Sequence, residues 1–212
     1  YGTNSCTSGT ASPVFPVIVA PSLIVGSINA SQTLCTGTSP AQLIGVAPST
    51  GTAPTYQWQS SLDNMTYSTV AGATALNYQP GVLTATTYYR LLQNATGTCN
   101  GPLPTNIVTI TVQPNLSVGS VNANQTICTG AIPVQLRGTG PLNGTSPTYQ
   151  WQSSPDNLIF TNISGANALN YQPGTLTATT YYKQLQNASG TCGGPLQTNA
   201  VTITVNPLLA VS

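Results

Sequence analysis

The chain has 212 residues, 40% of them hydrophobic but only 2% charged, and a net charge of +1. Asp63 and Asp156 are its only carboxylates and it has no His, which leaves no Ser-His-Asp triad, no glycosidase carboxylate pair and no carboxylate-rich calcium site. A neutral chain has no electrostatic hold on nucleic acid or anionic lipid, and no apolar run approaches the roughly 20 residues that span a bilayer.

In chain order, residues 1–21 match residues 94–114, and the whole sequence repeats with a period of 93 residues: Cys6, Cys99 and Cys192 are in step, as are Cys35 and Cys128, Trp58 and Trp151, and Asp63 and Asp156. A fixed period this long means an array of folded modules. In the second repeat, Leu116–Val121 reads as a first strand and Pro133–Arg137 as a second. Thr148–Ser153 is a third, with Tyr149 and Trp151 on one face and Gln150 and Gln152 on the other. Ser154-Pro155-Asp156-Asn157 is a turn, and Ile159–Ile163 continues the hairpin. Ala168–Tyr171 is short and stops at Pro173-Gly174. Thr179–Gln186 is long, and Ala200–Val205 closes the module with Val201, Ile203 and Val205 on one face. No segment sustains helical periodicity, and Pro and Gly are spread throughout.

Seven or so short strands per repeat predict a two-sheet sandwich. A cysteine, then Trp on a middle strand, then a late cysteine is the immunoglobulin-like order, with Trp58 and Trp151 as core residues. The expected fold is all-β: tandem immunoglobulin-like β-sandwiches at 22–114 and 115–207, each closed by one disulfide. Residues 1–21 read as the end of a preceding repeat, or as a donated strand, and 208–212 as the start of a further repeat or a linker. Tyr88-Tyr89 and Tyr181-Tyr182 must point to opposite faces, and conflicting neighbours leave open which ring is buried.

Each repeat carries two cysteines at one separation, 99 − 35 and 192 − 128, both 64 residues. That spacing predicts Cys35–Cys99 and Cys128–Cys192, with Cys6 unpaired within the chain. Without His or a CxxC pair zinc is not an option, and paired cysteines point to an oxidising compartment outside the cytosol. Asn-x-Ser/Thr triplets begin at Asn29, Asn64, Asn94, Asn115, Asn124, Asn143, Asn162 and Asn187. They are glycosylation candidates in some secreted proteins, and a chain this rich in Asn, Ser and Thr also makes many by chance. Asp63 and Asp156 read as turn caps. Arg90, Lys183 and Arg137 read as solvated or stacked cations.

Gln125-Thr-Ile-Cys-Thr-Gly130, Thr148-Tyr-Gln-Trp-Gln-Ser-Ser154, Phe160–Ala166, Leu176–Tyr182 and Ala200–Pro207 together resemble the Ig-like repeats of very large secreted surface proteins of Bacteroidota. The resemblance covers nearly the whole chain. It implies export by a type IX secretion route and a role as spacer or adhesive stalk. The expectation is therefore a non-enzymatic, cofactor-free, extracellular protein: a repeat segment of a cell-surface stalk, adhesin or filament. Its partners would be neighbouring repeats, identical subunits or surface glycans. A carbohydrate-binding accessory module is one alternative, and a filament subunit joined by strand donation through residues 1–21 is another.

Overall fold

A computed structural model describes residues 14–208. Short runs of alternating apolar and polar residues become strands. Those of the first repeat are β1 (Gln32–Cys35), β2 (Thr52–Ser61), β3 (Ser68–Thr69), β4 (Thr87–Thr96), β5 (Leu103–Pro104) and β6 (Val108–Gln113). The second repeat has β7 (Gln125–Cys128), β8 (Leu136–Arg137), β9 (Thr145–Ser154), β10 (Thr161–Asn162), β11 (Asn170–Tyr171), β12 (Thr180–Ser189), β13 (Leu196–Gln197) and β14 (Val201–Asn206). Among the described residues there is no helix, hence none long and apolar enough to cross a membrane.

The first module's main sheet has the order β1-β6-β4-β2-β3, with β5 added on β4, and the second repeats it as β7-β14-β12-β9-β10, with β13 on β12. Strand pairings within the main sheets are antiparallel except β1 with β6 and β7 with β14, which run parallel, as do the isolated bridges Ser22–Cys99 and Asn115–Cys192. A thinner layer faces each main sheet. In the first module it is built from bridges Ile28–Gly45, Leu43–Tyr78 and Thr38–Leu83, and in the second from β8–β11 and Val121–Gly138. The result is all-β, two layers per repeat, with an apolar core between them.

That core is centred on the tryptophans. Trp58 and Trp151 are fully buried, and each indole N–H donates to a backbone carbonyl, Ala75 and Ala168, at 3.0 Å. Burial alternates along β4: Tyr89, Leu91, Gln93 and Ala95 point inward while Tyr88, Arg90, Leu92 and Asn94 point out. This settles the tyrosine pairs, since Tyr89 and Tyr182 are the buried members. Trp58, Tyr78 and Tyr89 stack in sequence with ring centroids 5.7 and 5.9 Å apart, and Trp151, Tyr171 and Tyr182 repeat the arrangement.

Two expectations need correction. Leu116–Val121 is not a continuous strand: apart from the bridge at Val121 it is irregular, and its backbone is tied by scattered side-chain bonds such as Gln186 Oε1 accepting from Gly119 N at 2.8 Å. The disulfide pairing also differs. The bond joins Cys35 to Cys192, with Cα atoms 5.7 Å apart, and Cys99 and Cys128 are exposed thiols. The reason is geometric. Cys35 ends β1 opposite Gln113, at the downstream pole of its module, whereas Cys99 follows β4 and pairs with Ser22 at the upstream pole. The ten residues of β4 alone span roughly 30 Å, and a disulfide tolerates Cα atoms only about 7 Å apart. No module can therefore be closed by its own two cysteines. The bridge joins one module to the next.

Candidate functional site at the module junction

The link between modules is Gln113-Pro114-Asn115, and both bonded cysteines flank it. Cys35 pairs with Gln113 through the β1–β6 ladder, and Thr36 N donates to the Gln113 carbonyl at 2.8 Å. On the other side Cys192 N donates to the Pro114 carbonyl at 2.9 Å, and Leu116 N donates to the Cys192 carbonyl at 2.7 Å. The link is thus hydrogen-bonded from both modules and spanned by a covalent bond. Pro114 adds its fixed φ and restricts Gln113. Both bonded cysteines are half-buried.

Each remaining cysteine sits in one half of the same arrangement. Upstream, Cys99 N donates to the Pro21 carbonyl at 2.9 Å and Leu23 N to the Cys99 carbonyl at 3.1 Å, which copies Cys192 with Pro114 and Leu116. Downstream, Cys128 pairs with Asn206, and Thr129 N donates to the Asn206 carbonyl at 2.9 Å, which copies Cys35 with Gln113. Cys6 lies outside the described residues.

The charged residues hold turns and strand surfaces. Asp63 Oδ1 accepts from Ser61 Oγ, Met65 N and Thr66 N, all at 2.8 Å. Those bonds, led by the Thr66 backbone, lower its pKa to about 2. Asp156 repeats the turn with Ser154, Leu158 and Ile159, and its pKa is lowered for the same reason, with the Leu158 backbone foremost. Asn64 and Asn157, next in each turn, adopt positive φ, which Asn tolerates better than most residues. Arg90 lies 4.0 Å over the Tyr67 ring and Lys183 lies 3.8 Å over Phe160, while Arg137 is exposed. Among the described residues no three His, Cys, Asp or Glu come close enough to hold a metal ion.

Seven of the Asn-x-Ser/Thr asparagines, Asn29, Asn64, Asn94, Asn115, Asn124, Asn162 and Asn187, are exposed, and Asn143 is half-buried. Several of these amides already serve the fold. Asn29 Oδ1 accepts from Ile44 N, Asn143 Oδ1 from Ser117 N, Asn162 Oδ1 from Gln152 Nε2, and Asn124 Oδ1 from Thr202 N. A sugar platform needs open aromatic faces; among the described residues no Tyr or Trp is exposed, and Phe15 is the one exposed ring. A surface depression of about 330 Å³ is lined by Ser60, Ser61, Leu62, Asp63, Thr66, Ser68 and Thr87, without an aromatic ring.

Sequence reasoning found the cysteines but not the junction. The signal was present in the arithmetic: 157, the bonded separation, is 64 plus one period of 93. In a repeat array, equal spacing fixes cysteine pairing only to within a whole number of repeats.

A family model described as "Domain of unknown function (DUF8696)" matches residues 24–114 and again 117–207. No curated protein matches the sequence. Among solved structures, the chain is similar to fibronectin(III)-like modules of Clostridium thermocellum CbhA, with 9% identity over 86% of this chain and 95% of that chain and a TM-score of 0.35. It is also similar to the FN1-FN3 domains of chicken CNTN1, with 12% identity, 89% and 67% coverage and a TM-score of 0.39. Domains A168-A170 from titin give 8% identity, 87% and 68% coverage and a TM-score of 0.49.

Proposed function

The chain belongs to the family described as Domain of unknown function (DUF8696), of which it holds two copies in tandem, and we propose that it is a tension-bearing repeat segment of an extracellular stalk, adhesin or filament. The observation that carries this reading is the Cys35–Cys192 bond across the junction. A bond at that place adds nothing to a binding face and little to the core of either module. It does offer a covalent route past both modules: force entering at Ser22 reaches Cys35 after 13 residues, crosses to Cys192, and leaves through β14. Residues 36–191 lie off that route. A disulfide also fits an oxidising compartment, hence secretion. A surface of Thr, Ser, Asn and Gln with almost no charge has no electrostatic repulsion to oppose close lateral packing.

Pulling single chains by their termini tests the reading. With the bond intact, the 157-residue loop is withheld from extension. Reductant should then add roughly 520–560 Å of final length, at about 3.3–3.6 Å per residue. Equal final lengths with and without reductant would sink it. Protease shaving of intact source cells checks the surface location: release of fragments of this chain is expected, and full protection argues against it.

A further inference from the structure

We propose that Cys99 and Cys128 are the open halves of two further junction bonds, each made with another module of the same repeat, so that the disulfides form a ladder staggered by one module. The proposal rests on the array reading above and adds the register of its covalent links. Three observations converge on it. First, Cys99 and Cys128 reproduce the backbone hydrogen bonds of Cys192 and Cys35, each beside a Pro-containing link, Ala20-Pro21-Ser22 and Asn206-Pro207-Leu208. Second, they are exposed thiols, one at each pole of the pair, where the bonded junction between them has none left over. Third, residues 14–20 form an apolar segment leading straight into Cys99's link, and no other described residue covers it. Phe15 and Val17 are 81% and 89% exposed, yet their counterparts one period later, Val108 and Ile110, are 2% and 0% exposed in β6. This segment has the sequence of a last strand, and the sheet that would cover it is that of a preceding module. In the bonded junction that same sheet brings β1, and with it Cys35, beside the link.

Cys99 would therefore bond the early-strand cysteine of a preceding module, and Cys128 the late cysteine of a following one. In each step two thiols lose two protons and two electrons as one S–S bond forms. An incoming disulfide, of an oxidoreductase or of oxidised glutathione, accepts the electrons and leaves as two thiols.

The test extends the protein by its own repeats. Residues 1–207 are joined directly to residues 22–212, with Cys6→Ser, which regenerates a Val-Asn-Pro-Ser-Leu link like Val112-Gln113-Pro114-Asn115-Leu116. The chain is then oxidised in a glutathione buffer and its disulfides are mapped by mass spectrometry of unreduced peptides. The expected map has Cys35–Cys192 in both copies and a new bond from the first copy's Cys128 to the second copy's Cys99. Those two cysteines left open to alkylation, with both Cys35–Cys192 bonds formed, would overturn the ladder while leaving the tension reading intact. Bonds confined within modules would overturn both. A second measurement avoids the joined chain: the 212-residue protein as Cys6→Ser with Cys99→Ser is mixed with Cys6→Ser with Cys128→Ser. Disulfide dimers that form at least tenfold more in the mixture than in either variant alone support the head-to-tail register. Equal dimer yield from each variant alone counts against it.

Discussion

At the scale of residues, the two repeats make the same position work with different chemistry. Arg90 sits over Tyr67 and donates from Nε to Gln59 Oε1 at 2.8 Å. In the second repeat Lys183 sits over Phe160 but turns its ammonium to Gln197 Oε1 at 2.7 Å, because Gln197 stands where the first repeat has Pro104. Gln152, the counterpart of Gln59, is left with its Oε1 buried and unpartnered. A guanidinium has donors enough for both amides. Lys183→Arg is therefore expected to stabilise the chain by about 1 kcal/mol in denaturant melts, a typical net gain for one hydrogen bond; no gain, or a loss, would show that Gln152 Oε1 carries no cost. Titration tells a second residue-level story. Asp63 ionises near 2 when folded against 3.8 ordinarily, so its turn contributes stability that is complete above about pH 4 and is lost as pH falls through about 2. Burial pushes Tyr89 and Tyr182 up to about 12 from 10.0, so their contribution is complete below pH 10 and is lost as pH rises through about 12. With no His or Glu in the chain, melting temperature against pH should show a plateau between those arms. A step near pH 6 would contradict it.

At the scale of elements, much of the fold was legible because burial on one face writes itself as alternation. Val201, Ile203 and Tyr149-x-Trp151 read correctly as strand positions, and the long strands β9 and β12 lie where the pattern put them, with ends moved by a few residues. The unread parts have physical causes. β7, Gln125–Cys128, is an edge strand whose side chains are half-exposed or exposed, so it carries little hydrophobic signal, and its parallel partner β14 is about 80 residues away. Leu116–Val121 has the apolar spacing of a strand, but Gly119 packs so closely on the Thr139 carbonyl that a Cβ would overlap it, and its N–H goes to a buried glutamine rather than to a ladder. Gln184 replaces Leu91 at a fully buried position. Its Nε2 reaches the Ala168 and Leu169 carbonyls at 3.1 Å and its Oε1 accepts from Gln186. A buried glutamine satisfied by long-range backbone carbonyls looks, in sequence, like an outward one. The junction was hidden for a different reason: within a repeat array the spacing of cysteines is degenerate, and only the strand directions reveal that the two in one module lie at opposite poles.

At the scale of the whole molecule, the position of the disulfide changes how the two modules unfold. Suppose the first module opens alone. Cys192 is still held beside Asn115 by the folded second module, so the bond closes a loop of about 80 residues, Cys35 to Asn115, in the opened chain. In the chain-entropy treatment that loop costs the open state about 4.5 kcal/mol. If the second module opens alone, the loop from Gln113 to Cys192 is about as long and costs about the same. If both open, one loop of 157 residues costs about 5 kcal/mol in total. The bond thus opposes the first opening nearly in full and the second hardly at all, a coupling of about 4 kcal/mol between modules that are otherwise joined through a three-residue link. Oxidised chain should therefore unfold as one cooperative unit in calorimetry, with calorimetric and van't Hoff enthalpies in agreement. Reduced chain, or Cys35→Ser, should melt lower and split toward two units, with a calorimetric enthalpy near twice the van't Hoff value. Cys99→Ser and Cys128→Ser, which touch neither end of the bond, should leave the oxidised profile unchanged. A single unchanged transition on reduction would mean that the modules are coupled by their packed link and not by the bond.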